Sequence, residues 1–249
     1  TPSSGNNYVH RWDNATSAWI AITTSGSPTM TGVARVRFSN FNFTSSKTVL
    51  TDGINPAAIY DGTTYTPITH AQAPAAPSYA AGFKNHMFLA GDSTNKNKLF
   101  FSAPLSEGDF APGNGAGVIQ VGFDIVAIKP FRDTLYIFGQ TEIKRLQGNS
   151  LANFAVEAVT HELGCIAPDS VVEIGGDLIF LSQDGFRPVS GTNRIGDVEL
   201  ETISKDIQSL FPDIIRDSNL EALTAVVVRQ KSQFRVLFAE ASSTGIIAG

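Results

Sequence analysis

The groups in this chain that could do chemistry are few and scattered. His161-Glu162-Leu163-Gly164-Cys165 comes close to a zinc-protease helix. That motif needs two imidazoles four residues apart on one helical face, with a glutamate between them as base. Here Cys165 stands in the second position, and Gly164 disfavours the helix. The segment therefore reads as a strand end entering a glycine turn. Gly113-Asn-Gly-Ala-Gly117 has the glycines of a phosphate cradle but not the Lys-Ser/Thr that would complete one. Serine is common, yet no Gly-x-Ser-x-Gly occurs, and only His10, His70, His86 and His161 are available as bases. A glycosidase needs two carboxylates on facing elements. Asp52, Asp61, Asp124, Asp133, Asp177, Asp184 and Asp197 are candidates, most of them in turn contexts where Asp caps local amides. Trp12 and Trp19 could stack on a sugar, but read better as hairpin or core aromatics. Asn14-Ala-Thr16 and Asn42-Phe-Thr44 are glycosylation sequons with no secretory signal to give them meaning. No catalytic, cofactor-binding or metal-ligating set is assigned, and the chain is expected not to be an enzyme.

Composition excludes further classes. Of 249 residues 16% are charged, below the usual quarter, and the formal net charge is −5. A polybasic nucleic-acid binder and a disordered acidic tail are both excluded. The single cysteine excludes an internal disulfide framework and a zinc knuckle. No apolar run approaches the roughly 20 residues of a membrane helix. The chain does not begin with Met, and it closes on the uncharged Gly245-Ile-Ile-Ala-Gly249. The expectation is a fragment or a processed product, incomplete at its C-terminal end.

Short apolar runs bounded by Gly, Asp, Asn or Ser dominate the chain, which predicts an all-β fold. The clearest are Thr48–Leu50, Met87–Leu89, Leu99–Phe101, Leu135–Phe138, Leu178–Leu181, Ala225–Val228 and Phe234–Phe238. Taking Leu50, Phe88, Ile137, Phe180 and Val227 as strand centres gives steps of 38, 49, 43 and 47 residues. A period of about 40–50 residues is that of a propeller blade, a four-stranded antiparallel sheet. Leu135-Tyr-Ile-Phe-Gly-Gln-Thr-Glu-Ile-Lys-Arg-Leu146 aligns without gaps on Leu178-Ile-Phe-Leu-Ser-Gln-Asp-Gly-Phe-Arg-Pro-Val189, 43 residues on. In the second copy Gln183-Asp184-Gly185 is hairpin chemistry. Trp12…Trp19 and Tyr60…Tyr65 each flank an acidic turn and precede Ile-Thr. That predicts hairpins whose rings meet across the strands. Asp61-Gly62 and Asp184-Gly185 faintly resemble the Asp-box of sialidase propellers, although the full pattern is absent.

Two segments depart from this rhythm. Ala71–Ala81 is Ala/Pro-rich and reads as an inter-blade connector. Within Leu200–Ile215, the residues Ile203, Ile207, Leu210 and Phe211 share a helical face. Ser204 is the expected N-cap and Pro212 the expected stop, so one short helix is predicted near 203–211. The stretch Ser106–Gly117 reads as a surface loop. The whole, residues 1–249, is expected to be one β-propeller-like domain of about five to six blades.

Several phrases carry a family resemblance. Arg37-Phe-Ser-Asn-Phe-Asn-Phe43 is followed by Val49-Leu-Thr-Asp-Gly-Ile-Asn-Pro-Ala-Ala-Ile-Tyr-Asp-Gly62. Next come Lys84-Asn-His-Met-Phe-Leu89, Leu99-Phe-Phe-Ser-Ala-Pro104 and Asp109-Phe110. Then follow Gly122-Phe-Asp-Ile-Val-Ala-Ile128, Leu135–Phe138 and Ile143-Lys-Arg-Leu-Gln-Gly148. The last group is Ala167-Pro-Asp-Ser-Val-Val172, Leu178–Ser182, Asp184-Gly185 and Ile203-Ser204…Ile207. In this order, over roughly residues 8–240, the chain resembles the β-propeller tail-nozzle and tail-hub proteins of short-tailed double-stranded DNA bacteriophages. Such proteins are usually longer, so a final blade and a distal domain are expected to be missing.

The resemblance implies a virion structural protein assembled in the host cytoplasm into a homo-oligomeric ring, a hexamer. The ring would join adjoining tail, adaptor or portal proteins. Double-stranded DNA would pass through it at ejection without specific binding, and the chain would not insert into a membrane. The family offers no catalytic site or cofactor to carry over. The alternative is a glycan-binding or glycan-cleaving propeller of tail-spike or lectin type.

Overall fold

The structure is a computed structural model that describes residues 9–24, 31, 35–192, 204–231 and 233–238. It is all-β, built from short sheets whose strands pair antiparallel, apart from one two-residue parallel contact. The chain divides into two compact units: residues 1–122 with 148–154, and residues 123–147 with 155–249.

In the N-terminal unit, β1 (His10–Asp13) and β2 (Ala18–Ala21) form a hairpin. β3 (Thr23–Thr24), β4 (Arg37–Asn42), β5 (Ser46–Thr51), β6 (Ala58–Tyr60) and β7 (Thr64–Pro67) form a five-stranded sheet in the order β3-β7-β6-β5-β4. The chain then crosses residues 68–78 to a four-stranded sheet. Its strands are β8 (Tyr79–Phe83), β9 (His86–Ala90), β10 (Lys98–Phe101) and β11 (Gly117–Gln120), paired in sequence order. Alternation puts Phe41, Val49 and Ile59 on one face of the first sheet, where they pack with Met87, Leu89, Phe100 and Phe110. On its other face Leu50, Ala58 and Tyr65 pack with Val9, Ile22 and Val36. A second aromatic cluster joins His86, Phe88 and Phe101 to Phe154, whose ring stands 5.2 Å from that of Phe101.

In the C-terminal unit, β12 (Ala127–Phe131), β13 (Thr134–Phe138), β14 (Ile143–Gln147) and β15 (Ala155–Thr160) form a four-stranded meander. β16 (Val172–Ile174), β17 (Asp177–Ser182) and β18 (Gly185–Pro188) form a three-stranded one. The helical turn α1 (Val189–Thr192), the helix α2 (Phe211–Asp217) and the hairpin β19 (Thr224–Val228) with β20 (Gln233–Leu237) complete the unit. Phe138, Ile143, Leu178 and Phe180 share one core, with the Phe138 and Phe180 rings 5.5 Å apart. Leu181, Phe186, Phe211 and Leu223 share the next, closed by Phe234 and Val236.

The seven runs singled out in the sequence lie on strands, except that Phe238 falls one residue past the end of β20. The 43-residue alignment also holds at the level of individual pairs. Lys129↔Tyr136 becomes Val172↔Ile179, and Ile137↔Lys144 becomes Phe180↔Arg187. Adding 47 to the second hairpin gives Val227↔Phe234, a third copy of the same register. The first sheets repeat too, with shifts of 41, 40 and 41 for β4, β5 and β6 onto β8, β9 and β10. Trp12 pairs with Trp19 and Tyr60 with Tyr65, as the aromatic spacing predicted, and the two indoles meet edge-on at 5.6 Å.

The helix expected near 203–211 needs correction. Ile203 lies outside the described residues, Lys205–Leu210 is a 3₁₀ turn, and the α-helix runs over Phe211–Asp217. Pro212 begins this helix, because its missing N–H falls where no intrahelical acceptor exists. Ser204 gives no side-chain cap; its hydroxyl accepts a bond from the Phe186 amide at 3.1 Å. Only Phe211 is buried, while Ile207 and Leu210 are half exposed. The 106–117 loop also differs from a plain surface loop. Phe110 is 2% exposed, and Asp109 holds the Ala111 amide and the Asn114 side chain.

Candidate functional site

Among the described residues, side chains converge on open space around Lys47 in the N-terminal unit. Lys47 sits on β5, on the face that carries Val49, beside Ile59 of β6 and Thr66 of β7. From the connection between β10 and β11, Glu107 reaches back to form an ion pair with it; the two side chains are 23% and 13% exposed. Between β6 and β7 the Asp61-Gly62 turn closes on itself. Asp61 Oδ1 accepts the amides of Thr63 and Thr64 at 2.8 and 2.7 Å, and Gly62 supplies a φ of +99°. These amide bonds, Thr64's first, hold the Asp61 carboxyl below its ordinary pKa, and Lys47 adds to the effect. Together these groups line a cleft of about 490 Å³ with Pro67, Ile68, Thr69 and His70. On the other side of Lys47 a second hollow of about 560 Å³ is lined by Asn40, Asn42, Ser46, Thr48 and Tyr60.

The remaining candidates stay apart. His10 is exposed on β1. His70 Nε2 stands 3.7 Å from Asp109, whose carboxyl the Ala111 amide and the Asn114 side chain hold low. His86 is buried among phenylalanines, with Nδ1 2.6 Å from the Ser102 carbonyl and Nε2 without a partner. His161 Nδ1 lies 3.7 Å from Glu142, on the surface.

Cys165 does not join His161. Its thiol is fully buried and donates to the Ala167 carbonyl at 3.1 Å, and burial pushes its pKa up to about 11. Gly164 explains the turn between them: a Cβ there would collide with the backbone of Gly139 and Gln140. The Gly113–Gly117 run leads into strand β11 rather than a helix, so it does not form a phosphate cradle. Among the described residues no three His, Cys, Asp or Glu side chains are grouped to hold a metal ion.

Asp52, Asp177 and Asp184 serve local structure. Asp52 accepts the Ile54 and Asn55 amides and the Asn55 side chain. Asp177 accepts the Leu178 and Ser190 amides. Asp184 pairs with Arg187, whose hydrogen bond lowers its pKa. Asp197 lies outside the described residues.

Trp12 and Trp19 correct the core reading. They are hairpin aromatics, but 47% and 67% exposed, on the hairpin face opposite Val9 and Ile22. Both sequons sit at hairpin tips. Lys47, Glu107 and Thr64 escaped the sequence reading. Of the cleft residues the sequence marked Asp61 for its turn, His70 as an available base and Ile68-Thr69 as part of a repeated pattern, but nothing drew them together.

What the fold and the cleft define is a class: register-repeating antiparallel sheets, with a polar hollow beside the five-stranded one. No helix among the described residues is long and apolar enough to cross a membrane. No protein-family model matches the chain, and no curated protein matches it.

Proposed function

We propose that this chain is a structural subunit of a phage tail, built as a β-propeller and assembled with copies of itself into a ring around the DNA ejection channel. The observation that carries the reading is the repeated register: three hairpins of the C-terminal unit share one pairing register at shifts of 43 and 47 residues. A blade-by-blade repeat of this length is the signature of a propeller. The ordered phrases that resemble those of tail-nozzle proteins supply the virion role of the proposal. Charge agrees with passage rather than capture. Each Lys or Arg that contacts phosphate adds affinity, whereas a six-membered ring of chains at −5 carries about −30 and repels the duplex.

The test is the solution mass of the full-length protein by light scattering and native mass spectrometry, followed by electron microscopy of the particles. A closed ring of about six subunits is expected, with no retention of double-stranded DNA at physiological salt. A stable monomer at micromolar concentration and in the presence of its tail partners defeats the proposal.

A further inference from the structure

The cleft beside Lys47 has hydrogen-bonding capacity that the fold itself does not use. Asp61 spends one carboxylate oxygen on two backbone amides. Its other oxygen, the second oxygen of Glu107, two of the three Lys47 protons and the hydroxyls of Thr64 and Thr69 have no protein partner among the described residues. All of them line one hollow of about 490 Å³, within the size range of small-molecule sites. Pro67, with the small exposed edges of the core residues Ile59 (8%) and Ile68 (6%), supplies a narrow apolar strip along the same wall. From these groups we infer that the cleft binds a neutral saccharide.

Charge narrows the ligand. Lys47 is already neutralised by Glu107, and Asp61 leaves the lining net negative, so phosphate or sulfate is disfavoured. A metal ion would need several grouped ligands, and the described residues present no such set. A pyranose meets the remaining requirements. Its hydroxyls donate to the carboxylates, accept from the ammonium, and do both with the threonines, while its C–H face lies on the isoleucine and proline strip. The ion pair fixes both long side chains in advance, so little ordering is left to the moment of binding. This inference does not depend on the ring proposal, since a monomer would have the same cleft.

The test is a heteronuclear NMR titration of the full chain with glucose, galactose, N-acetylglucosamine, maltose and lactose in turn. Each is raised to about 50 mM, well above a Kd on the order of 1 mM. At least one sugar is expected to give saturable shifts at the amides of Asp61, Thr64 and Thr69. Asp61→Asn keeps the turn, because Asn can still accept the two amides, but it replaces the free acceptor with a donor. Thr69→Val removes one hydroxyl at constant shape. Each variant should weaken binding about five-fold or more while melting like the wild type. Trp19→Ala should leave the affinity unchanged. Three results overturn the inference: no saturation with any sugar, saturation unaltered in both Asp61→Asn and Thr69→Val, or shifts centred on Trp12 and Trp19. Tighter binding of inorganic phosphate than of every sugar overturns it as well.

Discussion

The sheets β12–β14 and β16–β18 repeat without a gap, whereas β4–β6 and β8–β10 repeat only when two loops are allowed to change length. In the C-terminal unit one shift of 43 residues carries the pairs of Lys129–Phe131 with Thr134–Tyr136, and those of Tyr136–Phe138 with Ile143–Arg145, onto their counterparts. In the N-terminal unit the turn between β4 and β5 has three residues, and that between β8 and β9 has two, Lys84 and Asn85. Both of those residues have positive φ, as a tight type I′ hairpin requires. The connection from second to third strand is longer by one residue in the later copy. The pairing register is kept across these changes, although each matched strand differs by one residue in length. A one-residue slip inside a strand would turn its buried side chains outward, while one in a turn only reshapes a surface.

The largest effect expected from that contrast is on placement. Inserting one glycine between Tyr136 and Ile137 should abolish folding of the C-terminal unit, read as loss of its dispersed NMR resonances. The same insertion between Lys84 and Asn85 should cost only about 1 kcal/mol in urea unfolding. Equal damage at both sites would break the comparison. Gly164→Ala comes next. Its methyl group meets backbone rather than a movable side chain, so a loss of about 1–3 kcal/mol is expected from the urea midpoint.

A smaller effect separates the two matched hairpins. Arg187 is nearly buried against Asp184, whereas the residue that matches Asp184 in the earlier hairpin is the uncharged Thr141. The hydrogen bond lowers the folded pKa of Asp184, so its contribution is complete above the ordinary carboxylate value near 3.9 and fades as pH falls through the folded one. Because Asp184 is 42% exposed, Asp184→Asn should cost at most about 1 kcal/mol at pH 7, with the difference from wild type shrinking as pH falls below the ordinary carboxylate value. Trp19→Ala, at a 67% exposed position, should shift stability by no more than about 0.5 kcal/mol.

The gap-free repeat was legible because alternation and turn chemistry agree along Leu135–Leu146 and Leu178–Val189. The earlier repeat was not, because one-residue loop changes hide it from an ungapped comparison. The helix was misread because proline stops a helix from within but starts one from its first turn, and local pattern does not separate the two uses. The cleft was out of reach for a different reason. Lys47 and Glu107 are separated by 60 residues and brought together by sheet stacking, and threonines in β-rich sequence carry no distinguishing mark. Asp61 was noticed for its turn, but its unspent oxygen can be seen only in three dimensions.

The lone thiol of Cys165, sealed in the core that Phe138 and Phe180 share, works as a built-in chemical clock. With its proton held up to about pH 11 and no solvent contact, it can be alkylated only when that core opens. The labelling rate of the unmodified protein therefore measures how often this half of the chain breathes, with no added probe.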